Sequence, residues 1–560
     1  MTLNPVLEIE NLTVNVANTR NDVVKNASFQ IKAGETVCIV GESGSGKSVS
    51  SLAVMGLLPK GALRAKGKIL LDGENILQAR PERLRQLRAS SMSMVFQEPM
   101  TALNPVERVG DQIEEVLRIH GVSGRQTRKN RVLEMMRAVH LPDPKTLYNA
   151  YPHQLSGGQR QRVVICMALI LRPRLLIADE PTTALDVTTQ KQILSLMKEL
   201  QENLETAVLF ITHDFGVVSE IADRIVVMNR GEVVETGTRK EILSNPQNSY
   251  TRMLLSSVPG LVPSDRTRTF GAPTLRVTDL QKTYSDTRLF GAKRTINAVK
   301  NASLSLRQGE VVGVVGESGS GKSTLARCIV RLIDPTSGRI QLGNDDIADL
   351  SQRAMRPIRS RIQIVFQDPY RSLNGRLPVG ESICEGLRNF GWSRSDANAR
   401  AVELLELVGL DPESMKRYPH QFSGGQRQRI AIARALALEP DVIIADEAVS
   451  ALDVSVQKQV LDLLESIRVA KHIGMLFVTH DLRVAAQICD TILVMQHGNV
   501  VEAGETYKVL QDPQEEYTRM LLASAPGRDW DFRNFRPLSR DAHNLDKSGG
   551  NTSARFGARN

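Results

Sequence analysis

The 560-residue chain is poor in aromatics, which make up 4% of it, and holds only five cysteines. Scarce aromatics argue against a stacking platform for single-stranded nucleic acid, which seats bases on aromatic rings. The cysteines, Cys38, Cys166, Cys328, Cys384 and Cys489, lie far apart with no CxxC pair. That pattern argues against a disulfide framework and against a zinc or iron–sulfur site. Long hydrophobic runs are missing too. The longest apolar stretch, Val163 to Ala178, is broken by Arg172, Pro173 and Arg174, short of the roughly 18 residues that cross a bilayer. Met1 to Glu8 carry neither the basic nor the apolar region of a signal peptide. These absences give the expectation of a cytosolic chain.

What is present is globular. Hydrophobic residues are 41% and charged residues 24% of the chain, a balance that excludes disorder as the main state. At about 150 residues per domain, the length predicts several domains. The net charge is +9, part of it after Arg528. So mild an excess suits a membrane surface and nucleic acid equally.

The strongest signal is duplication. Gly41-Glu42-Ser43-Gly44-Ser45-Gly46-Lys47-Ser48 returns as Gly316-Glu317-Ser318-Gly319-Ser320-Gly321-Lys322-Ser323. Phe96-Gln97-Glu98-Pro99 returns as Phe366-Gln367-Asp368-Pro369, and Tyr151 to Arg162 as Tyr418 to Arg429. From there the spacing of the two copies stays constant through Tyr250 to Leu255 and Tyr517 to Leu522. The period is far too long for a solenoid. The chain therefore divides into a first domain over residues 1–260, a linker over 261–273 with two prolines, a second domain over 274–527, and a tail over 528–560 whose Arg, Asn, Ser and Gly content predicts disorder. Hydrophobic runs predict buried strands at Thr36–Val40, Leu175–Ala178 and Ala207–Ile211 and a helix from Ser48 to Leu58, an α/β pattern with a largely parallel sheet.

GxxxxGK[ST] between a strand and a helix is a phosphate-binding loop: glycines let backbone N–H groups wrap the phosphates, the lysine reaches the β and γ oxygens, and the serine holds Mg²⁺. Asp179-Glu180 and Asp446-Glu447 each close a buried strand with two carboxylates, the first suited to a Mg²⁺ shell and the second to polarising a water. Leu155-Ser156-Gly157-Gly158-Gln159 and Phe422-Ser423-Gly424-Gly425-Gln426 read either as plain helix caps or as anion sites at a helix start.

With these residues the sequence resembles the ATP-binding cassette (ABC) family, whose signature is Leu-Ser-Gly-Gly-Gln, over about residues 7 to 527. The resemblance implies two tandem phosphate-loop NTPase domains, each with a mixed-sheet core and a helical signature subdomain, paired head to tail over two nucleotides with ATP and Mg²⁺. One implied site uses Gly41, Gly44, Gly46, Lys47 and Ser48 with Gln97, Asp179, Glu180 and His213, closed by Ser423, Gly425 and Gln426. The other uses Gly316, Gly319, Gly321, Lys322 and Ser323 with Gln367, Asp446, Glu447 and His480, closed by Ser156, Gly158 and Gln159. In the family's roles, Glu180 and Glu447 are general bases, and His213 and His480 contact the γ-phosphate. Ser48, Gln97 and Asp179, with Ser323, Gln367 and Asp446, attend the Mg²⁺. Ala184-Leu185-Asp186 and Ala451-Leu452-Asp453 resemble the loops that cross the dimer interface. Tyr284 matches the aromatic that stacks on adenine, whereas the first copy has Val16 there.

Fused cassettes without a membrane span leave two readings: a transporter motor, or a translation factor acting on ribosomes. The latter class has a long charged helical linker, unlike the short proline-containing one here, and the CxxC pairs of excision-repair ATPases are missing. Phe96 to Pro105, Gly46 to Ala53, Ala178 to Val187 and the two Tyr-Thr-Arg-Met-Leu-Leu segments resemble the dipeptide/oligopeptide importer subfamily, with D-type and F-type cassettes joined. The cysteine box that often follows the Pro-Gly is lacking, so no iron–sulfur cluster is expected. The resemblance implies two transmembrane permease subunits and a periplasmic or extracellular solute-binding protein as partners, the cytoplasmic face of the inner membrane as location, and no nucleic acid. Each Tyr-Thr-Arg-Met-Leu-Leu segment reads equally as a helix packed on its own cassette and as a docking element.

Overall fold

The computed structural model describes residues 5–538, apart from 18, 20, 98–101, 184, 264–267, 287–293 and 451. Glu98, Pro99, Ala184 and Ala451 therefore lie outside the described residues, as do 539–560 of the tail.

Each half builds the same two-sheet unit. In the first, a six-stranded sheet runs in the order Glu232–Thr238, Arg224–Asn229, Thr36–Val40, Ala207–Ile211, Leu175–Asp179, Met92–Val95. All neighbours pair in parallel except the edge strand Glu232–Thr238. Every residue of Thr36–Val40, Leu175–Asp179 and Ala207–Ile211 is buried. Parallel strands covered on both faces read as continuous apolar runs, which is why these three stand out in the sequence. The second half repeats the order with Asn499–Glu505, Thr491–Gln496, Val311–Val315, Gly474–Thr479, Val442–Asp446 and Ile362–Val365.

The two faces of Thr36–Val40 serve different partners, as the period-two geometry of a strand requires. Val37 and Ile39 join a cluster with Leu7, Ile9, Leu12 and Val14 of an antiparallel sheet. That sheet runs Asp22–Ile31, Leu7–Val16, Leu63–Leu71, Glu74–Asn75. Cys38 and Val40 face the opposite cluster, with the helices Val109–Ile119, Arg125–Ala138 and Gly157–Leu169. This antiparallel sheet adds to the expected strands, and Leu7–Val16 alternates buried and half-exposed residues as a strand with one covered face does.

The halves interpenetrate. Val454 of the second sits in the first half's core cluster, and Val187 of the first sits in the second's. Helix Ser249–Ser257 lies against Val454–Lys471, and Glu516–Ser524 against Val187–Leu204. Lys191 Nζ donates to the Ala523 carbonyl at 2.7 Å. The connection between halves is tacked to the second: Arg268 pairs with Glu465 and Asp490, both at 2.7 Å.

The tail corrects one expectation. Residues 528–538 are ordered, with Trp530–Asp531 pairing antiparallel with Arg536–Pro537. Phe532 is buried in the first half's cluster, with Trp530 and Phe535 packed beside it. The overall polarity of residues 528–560 masks this local aromatic cluster, whose burial outweighs the entropy of ordering a short hairpin. Among the described residues no helix is long and apolar enough to cross a membrane.

Candidate active site

Strand Thr36–Val40 delivers the chain into the glycine loop, and helix Lys47–Val54 leaves it, ending before the expected Leu58. Gly41 has φ 151°, and a Cβ there would lie 2.2 Å from the Met228 carbonyl oxygen; Gly316 repeats this with φ 150° and 2.2 Å from Met495. Only glycine permits so close a backbone approach. Lys47 Nζ folds back over the loop, donating to the carbonyls of Gly41 at 2.7 Å and Glu42 at 2.8 Å. Lys322 does the same to Gly316 and Glu317, both at 2.8 Å. Burial pulls the pKa of both lysines down. A desolvated ammonium held chiefly by main-chain carbonyls is a site for an anion.

Ser48 Oγ donates to Asp179 Oδ1 at 3.1 Å, and Ser323 Oγ to Asp446 Oδ1 at 2.8 Å. Burial pushes Asp179 up to about 6, with Glu180 adding to the rise and the Ser48 hydroxyl opposing it. Asp446 is raised for the same leading reason. A hydroxyl and a buried carboxylate that gives up charge unless compensated are the hard-oxygen donors a Mg²⁺ ion takes, so the residues present fit that ion.

Glu180 and Glu447 follow these aspartates in the left-handed region, at φ 48° and 50°. Their N–H groups donate to Ile211 and Val478 carbonyls of the adjacent strand, each at 2.9 Å. Non-glycine residues pay for that conformation, and here it turns each carboxylate out of the strand end toward the loop. Gln97 Nε2 donates to Glu180 at 2.8 Å, and Gln367 Nε2 to Glu447 at 2.7 Å. His213 Nδ1 lies 3.1 Å from Glu180, and His480 Nδ1 lies 3.4 Å from Glu447. Burial alone would raise Glu180, but the hydrogen bond and charge of His213 prevail and bring it down to about 2. Burial likewise opposes protonation of His213, and Glu180 overrides it, so the histidine pKa rises. Glu447 and His480 shift in the same directions. In each pair the histidine favours the charged carboxylate and the glutamate favours the protonated ring.

The second loop opens on a cavity of about 650 Å³ whose lining includes Ser318, Lys322, Gln367, Glu447 and His480 from its own half and Thr183, Leu185 and Asp186 from the other. At the first loop, the Ser43 N–H donates to Asp453 Oδ2 at 2.9 Å, and Ser455 Oγ donates to Glu42 Oε1. The interface loops thus cross as the resemblance implied. The signature residues do not: Ser156, Gly158 and Gln159 are no part of the cavity lining. Ser156 and Gln159 form a capping box on their own helix, as do Ser423 and Gln426. Gly158 and Gly425 instead admit Thr189 and Val456, which a Cβ would meet at 2.5 and 2.2 Å. Tyr284 is 41% exposed, with Lys282 Nζ 5.1 Å above its ring. Its cross-strand partner Ile296 lines the cavity.

Two residues at the loop went unread in the sequence. The Glu42 N–H donates to Tyr250 Oη at 3.2 Å and the Glu317 N–H to Tyr517 Oη at 3.1 Å. These tyrosines begin the Tyr-Thr-Arg-Met-Leu-Leu segments, so each segment both packs on its own cassette and touches its nucleotide loop. Recurrence at the same place in both copies was the signal available.

The ABC transporter family model matches residues 24–183 and again 299–450. The chain belongs to the ABC transporter family. A second model, the oligopeptide/dipeptide transporter C-terminal region, matches 234–284 and 501–559. Over 532 residues the chain is 46% identical to the peptidoglycan transport ATP-binding protein YejF of Agrobacterium fabrum, covering 93% of this chain and 96% of that one. Over 557 residues it is 46% identical to the glutathione import ATP-binding protein GsiA of Escherichia coli, covering 93% and 89%. Among solved structures, the dimeric cassette MJ0796 bound to ADP and Pi aligns with 41% of this chain and 98% of its own, at 32% identity and a TM-score of 0.38. This ABC protein is an ATP-binding and ATP-hydrolysing transporter subunit. The relatives give the ribosomal reading no support.

Proposed function

We propose that the chain is the ATPase of an importer for peptides or related small solutes such as glutathione, working on the cytoplasmic face of the inner membrane with two permease subunits and a solute-binding protein. The observation that carries this reading is that both halves hold a complete loop–carboxylate–histidine constellation and both match the oligopeptide transporter C-terminal region.

ATP enters with its phosphates on the N–H groups of Gly44 to Ser48, or of Gly319 to Ser323, and the lysine turns from its carbonyls to the β and γ oxygens. Ser48, Asp179 and Gln97, and their copies Ser323, Asp446 and Gln367, would hold Mg²⁺, which supplies charge neutralisation at the β and γ oxygens when bound. Adenine in the second site rests on Tyr284. The signature residues Ser423, Gly425 and Gln426 close over the first site, and Ser156, Gly158 and Gln159 over the second, as the halves tighten. His213 and His480 leave their glutamates for the γ-phosphate. That departure removes the strongest stabilisation of the ionised carboxylate, so Glu180 and Glu447 become stronger bases as water is positioned for attack. Each then takes a proton from the water.

The test is the double variant Glu180→Gln with Glu447→Gln. It should bind ATP and lose turnover; hydrolysis within tenfold of wild type would show that the base assignment is wrong.

A further inference from the structure

One buried difference between the two halves lies at their interface. Arg483 of the second half is 7% exposed and enters the interface beside Gly216, the residue that occupies its place in the first copy. Its Nε donates to Asp481 Oδ1 at 3.1 Å and its Nη2 to Asp481 Oδ2 at 2.9 Å. Across the interface, Nη2 donates to Asp214 Oδ2 at 3.0 Å and Nη1 to Asp214 Oδ1 at 3.2 Å, with Nη1 also reaching the Pro526 carbonyl at 3.3 Å. Five guanidinium bonds match the five N–H donors an arginine has. A buried cation between two carboxylates, all hydrogen-bonded, holds its geometry tightly.

The two aspartates are not arbitrary anchors. Asp214 follows His213 and Asp481 follows His480, and each caps the helix that starts behind its histidine. One guanidinium therefore ties both histidine loops together, beside a cavity of about 90 Å³ that His213 and His480 also line. The arrangement takes a single arginine. A Cβ on Gly216 would lie 2.4 Å from Arg483 Nη1 and 2.8 Å from the Pro526 oxygen. Two first halves would bring two aspartates together with no cation, and two second halves would set arginine against arginine. The junction fits only unlike halves.

We propose that Arg483 is a positioning residue that couples the two ATP sites. By fixing the two histidine loops to one another, it makes the move of one histidine from its glutamate to a γ-phosphate alter the setting of the other. This rests on the two-site reading above.

The experiment measures, in the full chain, what Glu447→Gln costs in total ATP turnover with and without Arg483. With Arg483 present the substitution should cost more than tenfold, because the remaining site cannot cycle alone. With Arg483→Met it should cost about twofold, one of two independent sites being lost. Equal losses in both backgrounds, or only a twofold loss with Arg483 present, would overturn the proposal. Arg483→Met leaves two carboxylates unpaired and can unfold the interface, so the triple variant Asp214→Asn, Arg483→Met, Asp481→Asn is measured as well. It should also show the twofold cost; return of the more-than-tenfold cost would show that Arg483 only neutralises buried charge. Turnover persisting in the Glu180→Gln, Glu447→Gln chain would fault the site reading itself and is separable from all of these outcomes.

Discussion

The main-chain N–H of Ser43, in the first nucleotide loop, donates to the carboxylate of Asp453 from the other half at 2.9 Å. A carboxylate sits here on an amide of the loop that phosphates will use, and its negative charge is also felt by Lys47. The expected result for Asp453→Asn is tighter ATP binding at the first site, by about 0.5–1.5 kcal/mol if one competing hydrogen bond is weakened, together with slower turnover. Site-resolved nucleotide titration alongside steady-state hydrolysis checks this; weaker binding would show that Asp453 organises the loop for ATP.

The glutamate–histidine pairs set a pH window. His213 and His480 have raised pKa values, so their contribution to stability is complete below the ordinary histidine value of about 6.5 and is lost as pH rises through the folded value. Glu180 is lowered to about 2, so its contribution is present above the ordinary value of about 4.3 and lost as pH falls toward 2. Thermal unfolding of the wild type should therefore lose stability on both sides of that interval. In the Glu180→Gln, Glu447→Gln chain the high-pH arm should flatten or reverse, since burial alone lowers a histidine pKa. An unchanged high-pH arm would detach the histidines from the glutamates.

Much of the site was readable because its parts are contiguous and occur twice. The glycine loops, the Asp-Glu strand ends and the histidines after a buried strand each declare a local geometry, and the parallel sheet brings them together. What was not readable depends on approach in space. Tyr250 meets Glu42 across 208 residues of chain, and nothing in Tyr-Thr-Arg-Met-Leu-Leu announces a hydroxyl aimed at a loop amide. Arg483 stands opposite Gly216 among several differences between the copies, and nothing local marks it as a residue that reaches across to Asp214. The signature loops were expected to close the sites, yet here they cap their own helices while Asp453 and Asp186 face across.

The ordered part of the tail should matter to the pairing of halves. Phe532 is 4% exposed within the first half's core cluster, although it belongs to the chain that leaves the second. Phe532→Ala should cost about 3–5 kcal/mol of local packing if the site cannot collapse. The check is the first half's unfolding transition by calorimetry and its protection in hydrogen exchange. A loss below about 1 kcal/mol would mean the hairpin is held by its own turn and not by the core.

The proposed adenine platform, Tyr284, has no aromatic counterpart in the first copy, where Val16 stands. Tyr284 offers a ring, and Val16 in the first copy cannot stack, a difference of about 1–2 kcal/mol if base stacking on an aromatic is the guide. Photolabelling each half with an adenine-reactive ATP analogue should favour the second site, and Tyr284→Val should equalise the two. Equal labelling in the wild type would remove the asymmetry.

That this ATPase drives an importer is tested most directly by affinity capture of the tagged full chain from gently solubilised native cells, with mass spectrometry of what comes with it. Two polytopic permease subunits should be recovered in stoichiometric amounts, with the binding protein joining them when solute and nucleotide are supplied. Recovery of ribosomal proteins without any permease would contradict the importer reading.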